Sequence, residues 1–162
     1  MRIFAFVGVS DSGKTRLILR LLDEFRRRGK RTGVIKHCHE DFDLDPEGKD
    51  SSRFWEKGAA GIALLSPSRW ATIRRIPPER SAAELADRLF PDMDIVLVEG
   101  GKQSRDIPKI AVGRSETGED SPPDPAGLVA VVSEEDASPG MPVFHPDQIR
   151  EIADFIWNEG EI

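Results

Sequence analysis

Gly8-Val9-Ser10-Asp11-Ser12-Gly13-Lys14-Thr15 stands between an apolar run, Ile3-Phe4-Ala5-Phe6-Val7, and a stretch of helical periodicity that begins near Lys14. The eight residues match the pattern G-x-x-x-x-G-K-[ST], and strand, loop and helix follow one another in the order that a phosphate-binding loop requires. Glycines at 8 and 13 let the chain turn tightly enough for successive N–H groups to converge on an anion. The helix that follows adds the positive end of its dipole. Lys14 is then placed to reach the β- and γ-phosphates, and the Thr15 hydroxyl becomes a ligand for Mg²⁺. Gly8, Ser10, Asp11, Ser12, Gly13, Lys14, Thr15 and Arg16 are the candidate nucleotide-binding residues of this segment. Asp11 is an acid inside an anion-binding loop, and its tolerance of left-handed backbone gives it a conformational role.

Outward from the loop, Leu17, Ile18, Leu21, Leu22 and Phe25 share one helical face, and Gly29 supplies a stop. Arg31 to Lys36 reads as a second strand, so strand, loop, helix and strand form a βαβ unit with parallel strands. Lys49 to Gly58 reads as a short helix, and Gly61–Leu65 and Trp70–Ile76 as an antiparallel hairpin joined by Ser66-Pro67-Ser68-Arg69. The free edge of that hairpin needs covering, which a second subunit would provide. Ser81-Ala82-Ala83-Glu84 is a capping box that opens a helix expected to turn Leu85, Leu89 and Phe90 inward. Ile95-Val96-Leu97-Val98-Glu99 is an unalternated apolar run ending in an acid, which suits a central strand buried on both faces. Lys109–Val112 and Leu128–Val132 read as further strands, and a last helix runs from about Pro146 to Trp157. The expectation is an α/β phosphate-loop NTPase: one domain over residues 1–162, its mostly parallel sheet flanked by helices, with a β-hairpin insertion at about 37–78.

Composition narrows the partners. With 162 residues, 38% hydrophobic and 32% charged, the chain can bury a sizeable core, and its net charge of −6 argues against nucleic acid or an anionic membrane as the main partner. The basic run Arg26-Arg27-Arg28 lies at a helix end, where it suits the dipole and the solvent. A single cysteine, Cys38, excludes an internal disulfide, and without a leader or a long apolar span the expected location is the cytoplasm.

Glu99 is the second carrier of chemistry. An acid at the carboxyl end of an apolar strand beside the loop holds Mg²⁺ directly or through water, and Gly100 lets the next backbone approach the γ-phosphate. Lys14 and Glu99 are therefore the candidate catalytic pair, and Thr15 and Glu99 the metal pair. The segment His37 to Asp50 concentrates two histidines, a cysteine and several acids. It can be read as a metal site using His37, Cys38 and His39, as a polar loop at a ligand mouth, or as a switch-like loop whose Asp45 or Asp50 positions water. After the strand 128–132, Glu134 or Asp136 is the candidate reader of a guanine base, since no N-K-x-D is present.

Taken in order, Gly8–Thr15, Ile35-Lys36-His37-Cys38-His39, Asp45-Pro46-Glu47-Gly48-Lys49-Asp50-Ser51, Gly58-Ala59-Ala60, Leu97-Val98-Glu99-Gly100-Gly101-Lys102 and Pro108-Lys109-Ile110 resemble the MobB family of molybdopterin-guanine dinucleotide biosynthesis adapter proteins. The resemblance covers about three quarters of the chain. It implies a GTP-binding accessory protein with Mg²⁺ as cofactor, a homodimer, which assists a separate guanylyltransferase in attaching GMP to molybdopterin and hydrolyses GTP weakly. It further implies that His37, His39, Asp45, Lys49 and Asp50 line the substrate site next to the nucleotide. The same residues would also serve a small-molecule kinase using ATP, with Asp45 or Asp50 as base, or a regulatory module whose partners depend on nucleotide state.

Overall fold

The computed structural model describes residues 1–38, 49–75, 81–113, 126–134 and 140–159. In chain order the elements are β1 (Arg2–Val7), α1 (Lys14–Arg27), β2 (Thr32–Lys36), α2 (Asp50–Glu56), β3 (Gly61–Leu65), β4 (Trp70–Arg74), α3 (Ala82–Leu89), β5 (Ile95–Glu99), β6 (Lys109–Val112), β7 (Leu128–Val132), β8 (Val143–Phe144) and α4 (Ile149–Glu159). They fall into two compact units, Met1–His37 with Ser81–Ile162, and Cys38–Arg80. No helix among the described residues is long and apolar enough to cross a membrane.

The larger unit is a six-stranded sheet in the order β2-β5-β1-β6-β7-β8. Every pairing in it is parallel. β1 and β2 are parallel, as a βαβ unit demands, but β5 lies between them. β5 is the strand whose apolar run lacks alternation, and burial on both faces explains it: Ile95, Val96, Leu97 and Val98 are all fully buried. Ile95 and Leu97 join Phe4, Phe6, Leu17, Leu21, Phe25 and Ile152 in the core under α1 and α4. Val96 and Val98 join Ala5, Val7, Ala82 and Ala86 in a second core under α3.

Two details differ from the sequence reading. The face that α3 buries carries Ala82 and Ala86, with Phe90 partly buried beyond them, whereas Leu89 is 44% exposed. Small residues bring α3 close to the sheet, and a large side chain on that face would hold it away. β8 is two residues long, too short for any periodicity to announce it. The Ser81 hydroxyl does cap α3, accepting from the Glu84 N–H at 3.2 Å.

The smaller unit holds α2 and the antiparallel pair of β3 and β4, which form a sheet of their own. In the turn between those strands the Ser66 N–H and hydroxyl both donate to the Arg69 carbonyl, at 2.9 and 2.8 Å.

On α1, Glu24 is buried to 8% exposure and accepts from Arg27 and Arg28, each at 2.7 Å, while Arg28 also reaches Asp154 of α4 at 2.6 Å. The Arg27 and then the Arg28 hydrogen bonds, opposed by burial, lower the Glu24 pKa from 4.5 to about 2. A carboxylate with a depressed folded pKa adds stability that is present above its unfolded value and lost as pH falls through the folded one. Glu24→Gln should therefore lower the thermal midpoint by about 2–4 °C at pH 7. The gap to the parent protein should close as pH falls from 4.5 towards 2; a gap independent of pH in that window would contradict the assignment.

Candidate functional site

All strands of the large sheet point the same way, so their carboxyl ends form one edge, and the loop after β1 lies along it. The backbone is crowded at Gly8. A Cβ there would stand 2.4 Å from the Val112 carbonyl oxygen and 2.8 Å from Ser12 Oγ. Asp11 takes φ 58, in keeping with its conformational reading, and Gly13 takes φ 91 as the residue that caps α1. From the first turn of α1 the Lys14 ammonium bends back over the loop, donating to the carbonyls of Gly8 at 3.2 Å and Val9 at 2.5 Å and to Ser12 Oγ at 3.3 Å.

Thr15 and Glu99, 84 residues apart in sequence, are joined by a hydrogen bond from Oγ1 to Oε1 of 2.7 Å. The register that pairs Phe6 with Glu99 puts the acid level with the start of the loop. A hydroxyl and a carboxylate converging at one point are hard oxygen donors, the set that suits Mg²⁺. Gly100, at φ 92, donates its N–H to the Phe6 carbonyl at 3.0 Å, so the chain after Glu99 stays against the loop strand. Burial is the largest cause of a lowered Lys14 pKa; Glu99 and Asp11 oppose it, and Lys102 adds to it by repulsion.

On the β6–β8 side of the loop the edge opens into a cavity of about 710 Å³. Ser10, Asp11, Ser12, Gly13 and Arg16 form its loop wall, and Glu134, just beyond β7, lines it too. Sequence reasoning missed Arg20, Gly113, His145, Pro146 and Asp147, which also line it. Arg20 could have been found, because it follows Arg16 by one helical repeat. The other wall follows the two-residue β8 and had no signal. Arg20 donates to the Pro146 carbonyl and to Asp147 Oδ1, both at 2.8 Å, and that bond leads the causes that lower the Asp147 pKa.

On the opposite side, His37 extends β2 and donates its N–H to the Glu99 carbonyl at 2.9 Å, with its exposed side chain beside Gly100. Lys49 and Asp50 belong to the other compact unit, at the head of α2. His39, Asp45 and Asp136 lie outside the described residues. Among the described residues no group of three or more His, Cys, Asp and Glu side chains is arranged to hold a metal.

In sequence and in fold the chain is similar to known proteins. Residues 3–134 match the sequence profile of the family described as MobB, molybdopterin guanine dinucleotide synthesis protein B. The chain is 36% identical over 157 residues to a molybdopterin-guanine dinucleotide biosynthesis adapter protein of Haemophilus influenzae, covering 96% of this chain and 88% of that one. A protein of the same description from Escherichia coli K12 is 39% identical over 119 residues, covering 72% of this chain and 67% of that one. A crystal structure of molybdopterin-guanine biosynthesis protein B superimposes with a TM-score of 0.76 at 31% identity, over 99% of both chains. The structure of a MobB homologue from Bacillus stearothermophilus gives 0.68 at 28% identity, over 98% of this chain and 97% of that one.

Gly8 tests the loop geometry directly. Gly8→Ala drives a methyl group into the Val112 carbonyl, which belongs to the sheet and has little room to move. The expected result is a folded protein whose thermal midpoint is lowered by about 2–4 °C and whose nucleotide binding is weakened at least tenfold, read by calorimetric titration. Unchanged binding would mean that the loop does not hold its ligand in this conformation.

Proposed function

This chain belongs to the MobB family, and from that membership we propose that it is a GTP-binding accessory protein of molybdenum cofactor guanylylation, acting in the cytoplasm beside a separate guanylyltransferase that attaches GMP to molybdopterin. The observation that carries the nucleotide part is the convergence of Lys14, Thr15 and Glu99 at the carboxyl edge of the sheet. The loop N–H groups and Lys14 bind and orient the phosphates. Thr15 and Glu99 would hold Mg²⁺, which when bound neutralises charge on the β- and γ-phosphates. Hydrolysis is slow in this reading, since among the described residues no glutamine or arginine is placed to orient water or stabilise the transition state, and Gln103 is exposed.

Two carboxylates line the cavity that would receive the base, and they differ in availability. Asp147 is engaged by Arg20, whereas Glu134 is exposed and makes no hydrogen bond or ion pair with its side chain among the described residues. Glu134 is thus the residue offered to the ring N–H and amine of guanine. His37, beside Gly100, would serve the molybdopterin side of the site, a role that the family resemblance implies for His39, Asp45, Lys49 and Asp50 as well.

A homodimer completes the reading. Leu65 and Trp70 are partners across the hairpin and are 87% and 66% exposed, an apolar pair that a second copy would cover.

Titration with GTP and ATP, each with and without Mg²⁺, tests the nucleotide assignment. A Mg²⁺-dependent preference for GTP is expected, lost in Lys14→Ala and narrowed in Glu134→Gln; a preference for ATP would overturn the guanylylation reading. Light scattering tests the dimer, with Trp70→Asp expected to shift the protein to a monomer.

A further inference from the structure

The turn that leaves β5 carries Lys102. Beyond Glu99 and Gly100 the Ser104 N–H donates to the Gly101 carbonyl at 2.9 Å, closing a tight turn with Lys102 at its second position. Its carbonyl accepts from Lys109 Nζ at 3.0 Å. Lys109 is fully buried on β6, opposite Ala5 of the loop strand. A buried ammonium ordinarily requires an acid. Among the described residues this one has a main-chain carbonyl instead, so its binding strength is spent on the shape of the turn.

Lys102 itself is half-buried, and its side chain has no hydrogen bond or ion pair among the described residues. It follows Glu99, bonded to Thr15 at 2.7 Å, by three residues and Gly100, whose N–H donates to the Phe6 carbonyl at 3.0 Å, by two, so its turn leaves the sheet beside the loop that carries Lys14. Two cations from segments far apart in sequence thus converge beside the loop. An anion between them turns mutual repulsion into two attractions.

Position selects the anion. The cavity for the rest of a nucleotide lies on the β6–β8 side of the loop, while the Lys102 turn begins at Glu99 on the β5 side. A polyphosphate laid along the loop from that cavity would run towards this turn. We infer that Lys102 is a second cation of the phosphate site, contacting the terminal phosphoryl group of a bound nucleoside triphosphate, and that Lys109 is the positioning residue that fixes its turn. The inference rests on the nucleotide-binding reading above and adds to it the means of telling a triphosphate from a diphosphate.

The test compares affinities for GTP and GDP, in Mg²⁺, of the wild-type protein and of Lys102→Ala, Lys102→Arg, Lys109→Met and Lys14→Ala. In Lys102→Ala the GTP affinity should fall roughly tenfold and the GDP affinity less than about twofold, the loss of one charge-assisted contact. Lys102→Arg should retain most of the preference. Lys109→Met should lose it in the same direction, and combining it with Lys102→Ala should add little, the non-additivity expected when one residue acts through another. Equal losses for the two nucleotides, or none, would overturn the role of Lys102 while Lys14→Ala still abolished binding. A lowered thermal midpoint in Lys109→Met with an intact GTP-to-GDP ratio would overturn its positioning role. Failure of the wild-type protein to bind either nucleotide, or indifference to Lys14→Ala, would overturn the nucleotide reading and this inference together.

Discussion

The hydrogen bond from Thr15 to Glu99 is the constraint to which the arrangement of the larger unit answers. It needs α1 to begin at the residue after Gly13, β5 to lie directly beside β1, and the two strands to pair in a register that brings Glu99 level with Phe6. Because side chains alternate along a strand, slipping that register by one residue would turn Glu99 to the other face and every apolar residue of β5 with it. Burial of Ile95 to Val98 in two separate cores is what forbids the slip. Hydrophobic packing therefore fixes the position of a polar contact that contributes little stability of its own.

Around that contact the sheet edge divides into two sides. Towards β2 and β5 lie His37, Gly100 and the lysine-bearing turn, where backbone comes close and side chains are polar. Towards β6, β7 and β8 lies the cavity. Its far wall is held in place from α1 itself, since Arg20 binds both the Pro146 carbonyl and the Asp147 carboxylate just before α4, and Arg28 binds Asp154 within α4. The helix that starts at the phosphate loop is thus also the strut for the opposite wall.

The phosphate loop, α1, the buried strand β5 and the capping of α3 were legible because each has a local cause: fixed glycine positions, a 3.6-residue apolar period, an unbroken apolar run, a serine three residues before a glutamate. Glu99 was legible for the same reason, as the polar end of that run. What could not be read is non-local. The insertion of β5 between β1 and β2 depends on which strands bury best side by side, and β8 exists only as a partner for β7. Leu89 is apolar yet 44% exposed, because apolar character does not by itself select burial, whereas close approach of α3 to the sheet selects alanine. Asp147 and Lys102 acquire their places through Arg20 and Lys109, residues far from them in sequence or hidden in the core.

On the nucleotide-binding reading, the electrostatics of the loop link folding to ligand binding. Burial pushes the Lys14 ammonium towards its neutral form, repulsion from Lys102 adds to this, and Glu99 and Asp11 oppose it. Its present partners, the carbonyls of Gly8 and Val9 and the Ser12 hydroxyl, are neutral dipoles and balance the charge only in part. A phosphate oxygen in their place supplies a full opposite charge, so the same burial that penalises Lys14 strengthens its attraction to an anion. Binding free energy that enters through the folded state alone adds to folding stability as ligand concentration rises above its dissociation constant. A loop built in this way would give up local stability to gain affinity, and the two apolar cores beneath it carry that loss.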